Sequence, residues 1–191
     1  MALPPLENLA YPADDVEHPE GGHCASLGGS GPEEDRVAII EQWARALRAL
    51  VDSAEASEDR WSLSRPILFA VHQLCENALD VALDRHRAPK SGNGRHSLGA
   101  RMDGALKGAV YDHLTDEERA WCSLFVAKIA PLTGGGFPGR YANAKLAGTS
   151  KELDELWCCI NPVAIADAAI LFVGFTLESL PELEETAHSV T

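Results

Sequence analysis

The sequence lacks a long hydrophobic run: no window of eighteen uninterrupted apolar residues occurs in it. A membrane-spanning helix needs roughly 20 predominantly apolar residues, so we expect no transmembrane segment. The first fifteen residues also lack the basic and apolar regions of a secretory signal. The five cysteines are odd in number, and four of them lie in apolar helical runs, as buried free thiols do. Together these features predict a cytoplasmic protein.

The sequence also lacks the alternating pattern of half-buried strands, and it contains no internal repeat. Helical spacing of apolar residues is present instead, and it predicts an all-α fold, a helical bundle of about five helices over residues 33–180. A first helix is expected from Pro32. The predicted buried face of a second helix is formed by Ile67, Leu68, Val71, Leu74, Cys75, Ala78, Leu79 and Leu83.

Capping residues predict where the other helices begin. Ser64 is the expected N-cap of the second helix, and a third helix is expected over residues 97–114. Thr115 and Glu118 form a capping box that starts a fourth helix, which is expected to end before Pro131. Residues 161–177 open with Asn-Pro and are apolar on nearly every side. We expect that last helix to be the central helix of the bundle.

Neither end of the chain contains a lysine or an arginine, although residues 1–35 hold eight acidic residues and residues 178–191 hold four. The net charge of −13 is therefore concentrated at the ends. Because residues 1–32 are also rich in Pro and Gly, they predict a disordered acidic arm, and residues 181–191 predict an acidic tail.

The segment 85–107 reverses this balance, with six bases and one acid. Since local charge matters most within a Debye length of about 8–10 Å, this segment is a candidate nucleic-acid-binding surface; a solvated basic loop is the alternative. Its bases are Arg85, Arg87, Lys90, Arg95, Arg101 and Lys107.

Arg65, Phe69, His72 and Glu76 follow one another at steps of four, three and four residues, so they share one face of the second helix. Such a face suits general acid–base catalysis, with Arg65 holding an anion, His72 transferring the proton and Glu76 orienting His72. The alternative is a His–Glu pair on the wet edge of an amphipathic helix. Asp80 lies slightly to the side of this stripe.

Metal ligands occur without the spacing that a metal site needs. No second pair joins His72 and Glu76, and no second cluster completes the group formed by His18, His23 and Cys24. We expect no bound metal. Residues 134–139 match the letters G-x-G-x-x-G, but no strand precedes them, so they predict a loop.

From the second helix onward the chain resembles HEPN-type domains, small α-helical bundles common in prokaryotic defence and toxin systems. The similar stretches are residues 65–79, residues 94–98, residues 137–141 with Gly148, and the helix start at residues 160–162. The resemblance implies helix-mediated dimerisation. In catalytic members it implies metal-independent RNA cleavage by an Arg-x(4–6)-His motif, which Arg65 and His72 match. Many other members are non-catalytic binding or dimerisation modules.

Residues 69–76, with His72-Gln73 followed by Glu76, also look like the distal-histidine helix of tryptophan-dioxygenase-type haem enzymes. That resemblance implies haem and a proximal histidine on a late helix, and residues 161–177 contain no histidine.

The leading hypothesis from sequence is a HEPN-like endoribonuclease without cofactors, acting on RNA in a defence or toxin–antitoxin setting. It is expected to form a homodimer and to have a protein partner such as an antitoxin. The second hypothesis is a non-catalytic HEPN-type module that pairs with another protein, and the third is the haem oxygenase.

Overall fold

The computed structural model describes residues 32–58, 60–89, 97–133 and 160–180. These ranges contain five α-helices and no β-strand, which confirms the predicted all-α class. The helices are α1 (Pro32–Ala56), α2 (Ser64–Arg85), α3 (Leu98–Lys107), α4 (Asp116–Thr133) and α5 (Pro162–Glu178), with a short 3-10 helix (Arg60–Leu63) before α2. Except for Pro32, the predicted arm lies outside the described residues, as do the predicted tail and residues 134–139.

None of the described helices combines the length and the apolarity that crossing a bilayer requires.

Helix α2 is the central helix, because α3, α4 and α5 all pack against it. All eight residues predicted for its buried face are buried. The expectation that the last helix is central was wrong. Leu171 on α5 is 49% exposed, so one side of this apolar helix faces away from the core.

Helix α1 packs on α2 through aromatic and charged contacts. Trp43 meets Phe69 edge-to-face, with ring centroids 5.7 Å apart, and Arg36 forms an ion pair with Asp84. The apolar stripe of α1 contributes Leu47 to the core with no exposed surface.

Aromatic side chains fill the space between α4 and α5. Trp121 stacks on Phe125 with centroids 5.6 Å apart, and Phe125 meets Phe172 at 5.2 Å. The hydroxyl of Thr176 donates to the Phe172 carbonyl at 2.8 Å. The buried Tyr111 hydroxyl therefore donates to Thr176 Oγ1, also at 2.8 Å. This polar contact satisfies the one hydrogen-bonding atom that the Tyr111 ring carries into the core.

The predicted capping box of α4 is present. The Glu118 amide donates to Thr115 Oγ1 at 3.3 Å, and Glu118 Oε2 accepts from the Thr115 amide at 2.9 Å. Hydrogen bonds from Thr115 lower the pKa of the Glu118 carboxyl. Asn161 caps α5 through Ala164. Ser64, in contrast, is not the N-cap of α2: it lies inside the helix, because the 3-10 turn runs directly into α2 and places Leu63 at the cap.

Helices α2 and α3 end in the same way. Arg87 and Ala109 have positive φ angles of 49° and 60°. In each case the following amide donates to the carbonyl five residues earlier. The Ala88 amide donates to the Leu83 carbonyl, and the Val110 amide donates to the Ala105 carbonyl. This is the Schellman motif, which usually carries glycine at the positive-φ position. It ends α3 at Lys107 rather than at the predicted residue 114. Helix α4 also departs from expectation, since it continues through Pro131 to Thr133.

Cys75 and Cys122 are free thiols with no exposed surface. Burial raises the pKa of the Cys75 thiol, and burial followed by the charge of Glu118 raises the pKa of Cys122 to about 11. Because the thiolate is the reactive form, we expect both to resist iodoacetamide at about pH 8 in the native protein and to react in denaturant. Peptide mapping by mass spectrometry checks this prediction. A thiol that is labelled to the same extent in the native and the denatured protein would contradict it.

Candidate functional site

The predicted stripe on α2 is divided by burial. Arg65 is exposed and Phe69 is half-buried, whereas His72 is 1% exposed and Glu76 is 6% exposed. The structure therefore places His72 and Glu76 together in the interior and leaves Arg65 at the surface. The alternative of a His–Glu pair on a wet edge is wrong in its location, because both side chains face the core.

His72 connects α2 to the end of α4. Its Nδ1 lies 3.1 Å from Thr133 Oγ1, and the Thr133 hydroxyl donates to the Ile129 carbonyl at 3.1 Å. A hydroxyl has one hydrogen, so Thr133 accepts from His72, and the proton on Nδ1 is the donor. The other ring nitrogen, Nε2, lies 3.4 Å from Glu76 Oε2.

Arg101 on α3 connects the two carboxylates of α2. Its Nη2 lies 2.9 Å from Glu76 Oε1. Its Nε and Nη2 donate to the two oxygens of Asp80 at 2.7 and 3.0 Å. A planar guanidinium matches a carboxylate in this two-point geometry. We call His72, Glu76, Asp80, Arg101 and Thr133 the charged cluster.

Most of the charged cluster is shielded from water, although the Asp80 side chain is 38% exposed. The side chain of Arg101 is 14% exposed and that of Glu76 is 8% exposed. Burial by itself lowers the pKa of Arg101, but the hydrogen bond and charge of Asp80, with the charge of Glu76, outweigh it and raise that pKa. The Arg101 guanidinium is therefore already paired with the carboxylates of Glu76 and Asp80.

Arg101 thus departs from the expectation that it attracts a phosphate backbone. Among the other bases of that segment, Arg87 and Lys107 are exposed and Arg85 is half-buried. Lys90 and Arg95 lie outside the described residues. Within the described residues, the structure therefore removes Arg101 from the cations that the predicted nucleic-acid surface could offer.

The roles of Arg101 and Thr133 in the charged cluster were not predicted from the sequence. A signal for Arg101 was present, since Leu98, Met102 and Ala105 form the buried stripe of α3, and position 101 falls on that stripe at helical spacing. Three ionisable residues on the packed side of α2 also require a counter-charge nearby. No local pattern indicates Thr133, because it lies sixty-one residues from His72 in sequence.

The described part of the chain contains no group of three or more His, Cys, Asp or Glu side chains that could hold a metal ion; His18, His23 and Cys24 lie outside it. Three histidines lie in the described residues as candidate haem ligands, and His86 Nε2 donates to the Ser179 carbonyl at 2.8 Å. Both ring nitrogens of His72 face protein atoms, and the ring of His113 donates to the Phe175 carbonyl at 3.2 Å.

The fold and the charged cluster define an α-helical bundle in which ion pairs connect α2 to α3 and a hydrogen bond of His72 connects α2 to α4. Comparison of the chain with protein-family models, with curated proteins and with solved structures gave no match in any of the three.

Proposed function

We propose that this chain is a non-catalytic helical module of the HEPN type that works in the cytoplasm by pairing with another protein. The observation that carries the proposal is the burial and mutual pairing of His72, Glu76 and Arg101. These are the residues that would otherwise perform acid–base catalysis or bind phosphate. The resemblance to HEPN-type domains supports it, because many such domains are binding modules.

The burial of the His72 ring argues against His72 as a catalytic base. A general base must come within about 2.6–3.2 Å of the proton that it removes. The His72 ring is 1% exposed, and its nitrogens face Thr133 and Glu76. A ribose hydroxyl can meet this imidazole only if the packing around α2 opens.

Charge also argues against an RNA substrate. A phosphate at Arg101 has to compete with two carboxylates that already contact its guanidinium. The two ends of the chain, residues 1–35 and 178–191, add twelve acids and no lysine or arginine, and they repel a polyanion that comes within a Debye length of them. A protein partner with a basic surface meets no such penalty.

The first test is incubation of mixed-sequence RNA with the full-length protein in the presence of a metal chelator. We expect the RNA to stay intact with wild type, Arg65→Ala and His72→Ala. We also expect His72→Ala to lower the free energy of unfolding by about 2 kcal/mol, because it removes a buried, hydrogen-bonded ring. Gel electrophoresis and urea denaturation provide the two readouts.

RNA that is cut by wild type and spared by both variants would overturn the proposal in favour of the endoribonuclease hypothesis. Arg65→Ala keeps this test interpretable if His72→Ala does not fold, since Arg65 is at the surface. A Soret band in the purified protein would instead overturn the proposal in favour of the haem hypothesis.

A further inference from the structure

A groove runs along the surface between α1 and α5. One part, of about 380 Å³, is lined by residues 48–55 of α1 and residues 163–171 of α5. A second part, of about 540 Å³, extends from Ala54 past Glu58 to the start of α5. The two parts share Glu55 and Val163, so they form one continuous surface. We call it the α1–α5 groove.

The floor of the groove is apolar. Val51 and Ala166 are buried beneath it, Val163 and Ile170 are half-buried, and Leu171 is 49% exposed. On α5 these positions recur at the spacing of one helix face. An apolar floor of this kind gains free energy when a partner removes it from water.

The rim of the groove is acidic. Asp52, Glu55, Glu58 and Asp167 are all exposed along it, and Arg48 is the single base among the lining residues. The lining therefore has three more negative charges than positive ones. An acidic rim favours a partner with positively charged residues around its contact surface, because complementary charge speeds association and disfavours like-charged competitors.

We infer that the α1–α5 groove binds a basic amphipathic helix of a partner protein, an inference that rests on the proposed function as a binding module. Two helices with an apolar cleft between them accept a third helix, whose apolar residues at i, i+3, i+4 and i+7 enter the cleft. Lysine and arginine on the flanks of that helix then meet Asp52, Glu55 and Asp167.

The ends of this chain are poor occupants of the same groove. Residues 1–35 and 178–191 contain twelve acids and no lysine or arginine. Either end would bring negative charge against the negative rim. Charge complementarity therefore favours a separate basic segment over the chain's own ends.

The probe for the test is a synthetic peptide of about 16 residues, enough for roughly four helical turns. It carries leucine at i, i+3, i+4 and i+7 and lysine on both flanks, and a matched peptide carries glutamate instead of lysine. Titrated into the full-length protein, the lysine peptide is expected to shift amide NMR signals of residues 48–58 and 160–171. The glutamate peptide is expected to leave them unchanged.

Two pairs of variants locate the binding energy. Leu171→Asn is expected to weaken binding roughly tenfold, whereas Leu124→Asn, at a leucine of α4 that is 56% exposed, is expected to have no effect. Glu55→Lys with Asp167→Lys is also expected to weaken it roughly tenfold. The control double variant, Asp103→Lys with Asp112→Lys, changes the net charge equally at exposed positions outside the groove.

Equal weakening by the two double variants would mean unspecific attraction and would overturn the inference. Signal shifts elsewhere, or none, would overturn it as well. So would self-association that Leu171→Asn abolishes and the lysine peptide does not displace, because a second copy is then the occupant. Each of these results contradicts the groove as the binding surface but not the proposal that the chain is a binding module. RNA cleavage in the first test contradicts the module proposal, independently of the peptide titration.

Discussion

Replacement of Arg101 by methionine is expected to lower the free energy of unfolding by about 3 kcal/mol. The variant keeps an apolar side chain of similar length on α3 but removes the cation that contacts Glu76 and Asp80. Breaking a buried pair costs about 3–5 kcal/mol because one charge stays buried without its partner. The lower end applies here, since the Asp80 side chain is 38% exposed and regains water. Urea denaturation followed by circular dichroism measures the change.

Lys107→Met is the matched control, because Lys107 lies on the same helix and is exposed. It should change the unfolding free energy by no more than about 0.5 kcal/mol. Glu76→Gln should cost less in the Arg101→Met background than in wild type, giving a coupling of about 1–3 kcal/mol. If Arg101→Met is as mild as Lys107→Met, the charged cluster does not hold α2 and α3 together.

Replacement of Gly108 by alanine is expected to destabilise the protein by about 2–3 kcal/mol. Gly108 lies at the end of α3, against the end of α2. A Cβ at this position would come within 2.1 Å of Ala88 Cβ and 3.0 Å of Ala88 Cα. Neither atom belongs to a flexible side chain, so the two helix ends have to separate. The melting temperature and the urea midpoint should both fall.

Ala88→Gly should partly restore the Gly108→Ala variant, because it removes the closer of the two clashing atoms. Gly174→Ala provides the opposite control. A Cβ at Gly174 meets nothing within 4 Å, and alanine favours a helix interior over glycine by roughly 0.5–1 kcal/mol. That variant should therefore gain stability. Absence of rescue by Ala88→Gly would show that contact with Ala88 is not the cause of the loss.

Much of the fold was predictable because its signals are local. The eight positions that apolar spacing predicted for the buried face of α2 are all buried. The capping box at Thr115 and the Asn-Pro start of α5 marked two helix beginnings. The end of α3 was not predictable. Its Schellman motif has Ala109 at the positive-φ position, where glycine would have been the visible sign.

The candidate site was predicted only in part, for a physical reason. Helical periodicity correctly grouped His72 with Glu76, but it cannot tell which side of a polar stripe meets another helix. Packing of α3 against α2 decides that, and it brings Arg101 to the carboxylates across twenty-one residues of sequence. The expectation for Arg101 came from counting charges along the chain, which takes no account of the charges that face it in space.

The spacing of contacts along the chain has a consequence for the order in which the bundle assembles. The α2–α3 ion pair closes a loop of twenty-one residues, whereas Tyr111 and Thr176 are sixty-five residues apart and His86 and Ser179 ninety-three. Short loops cost less chain entropy and form early. The α1–α5 groove joins the first and last described helices, so we expect it to be completed late. A partner that binds the groove as inferred above would therefore bind the finished fold and not its precursors.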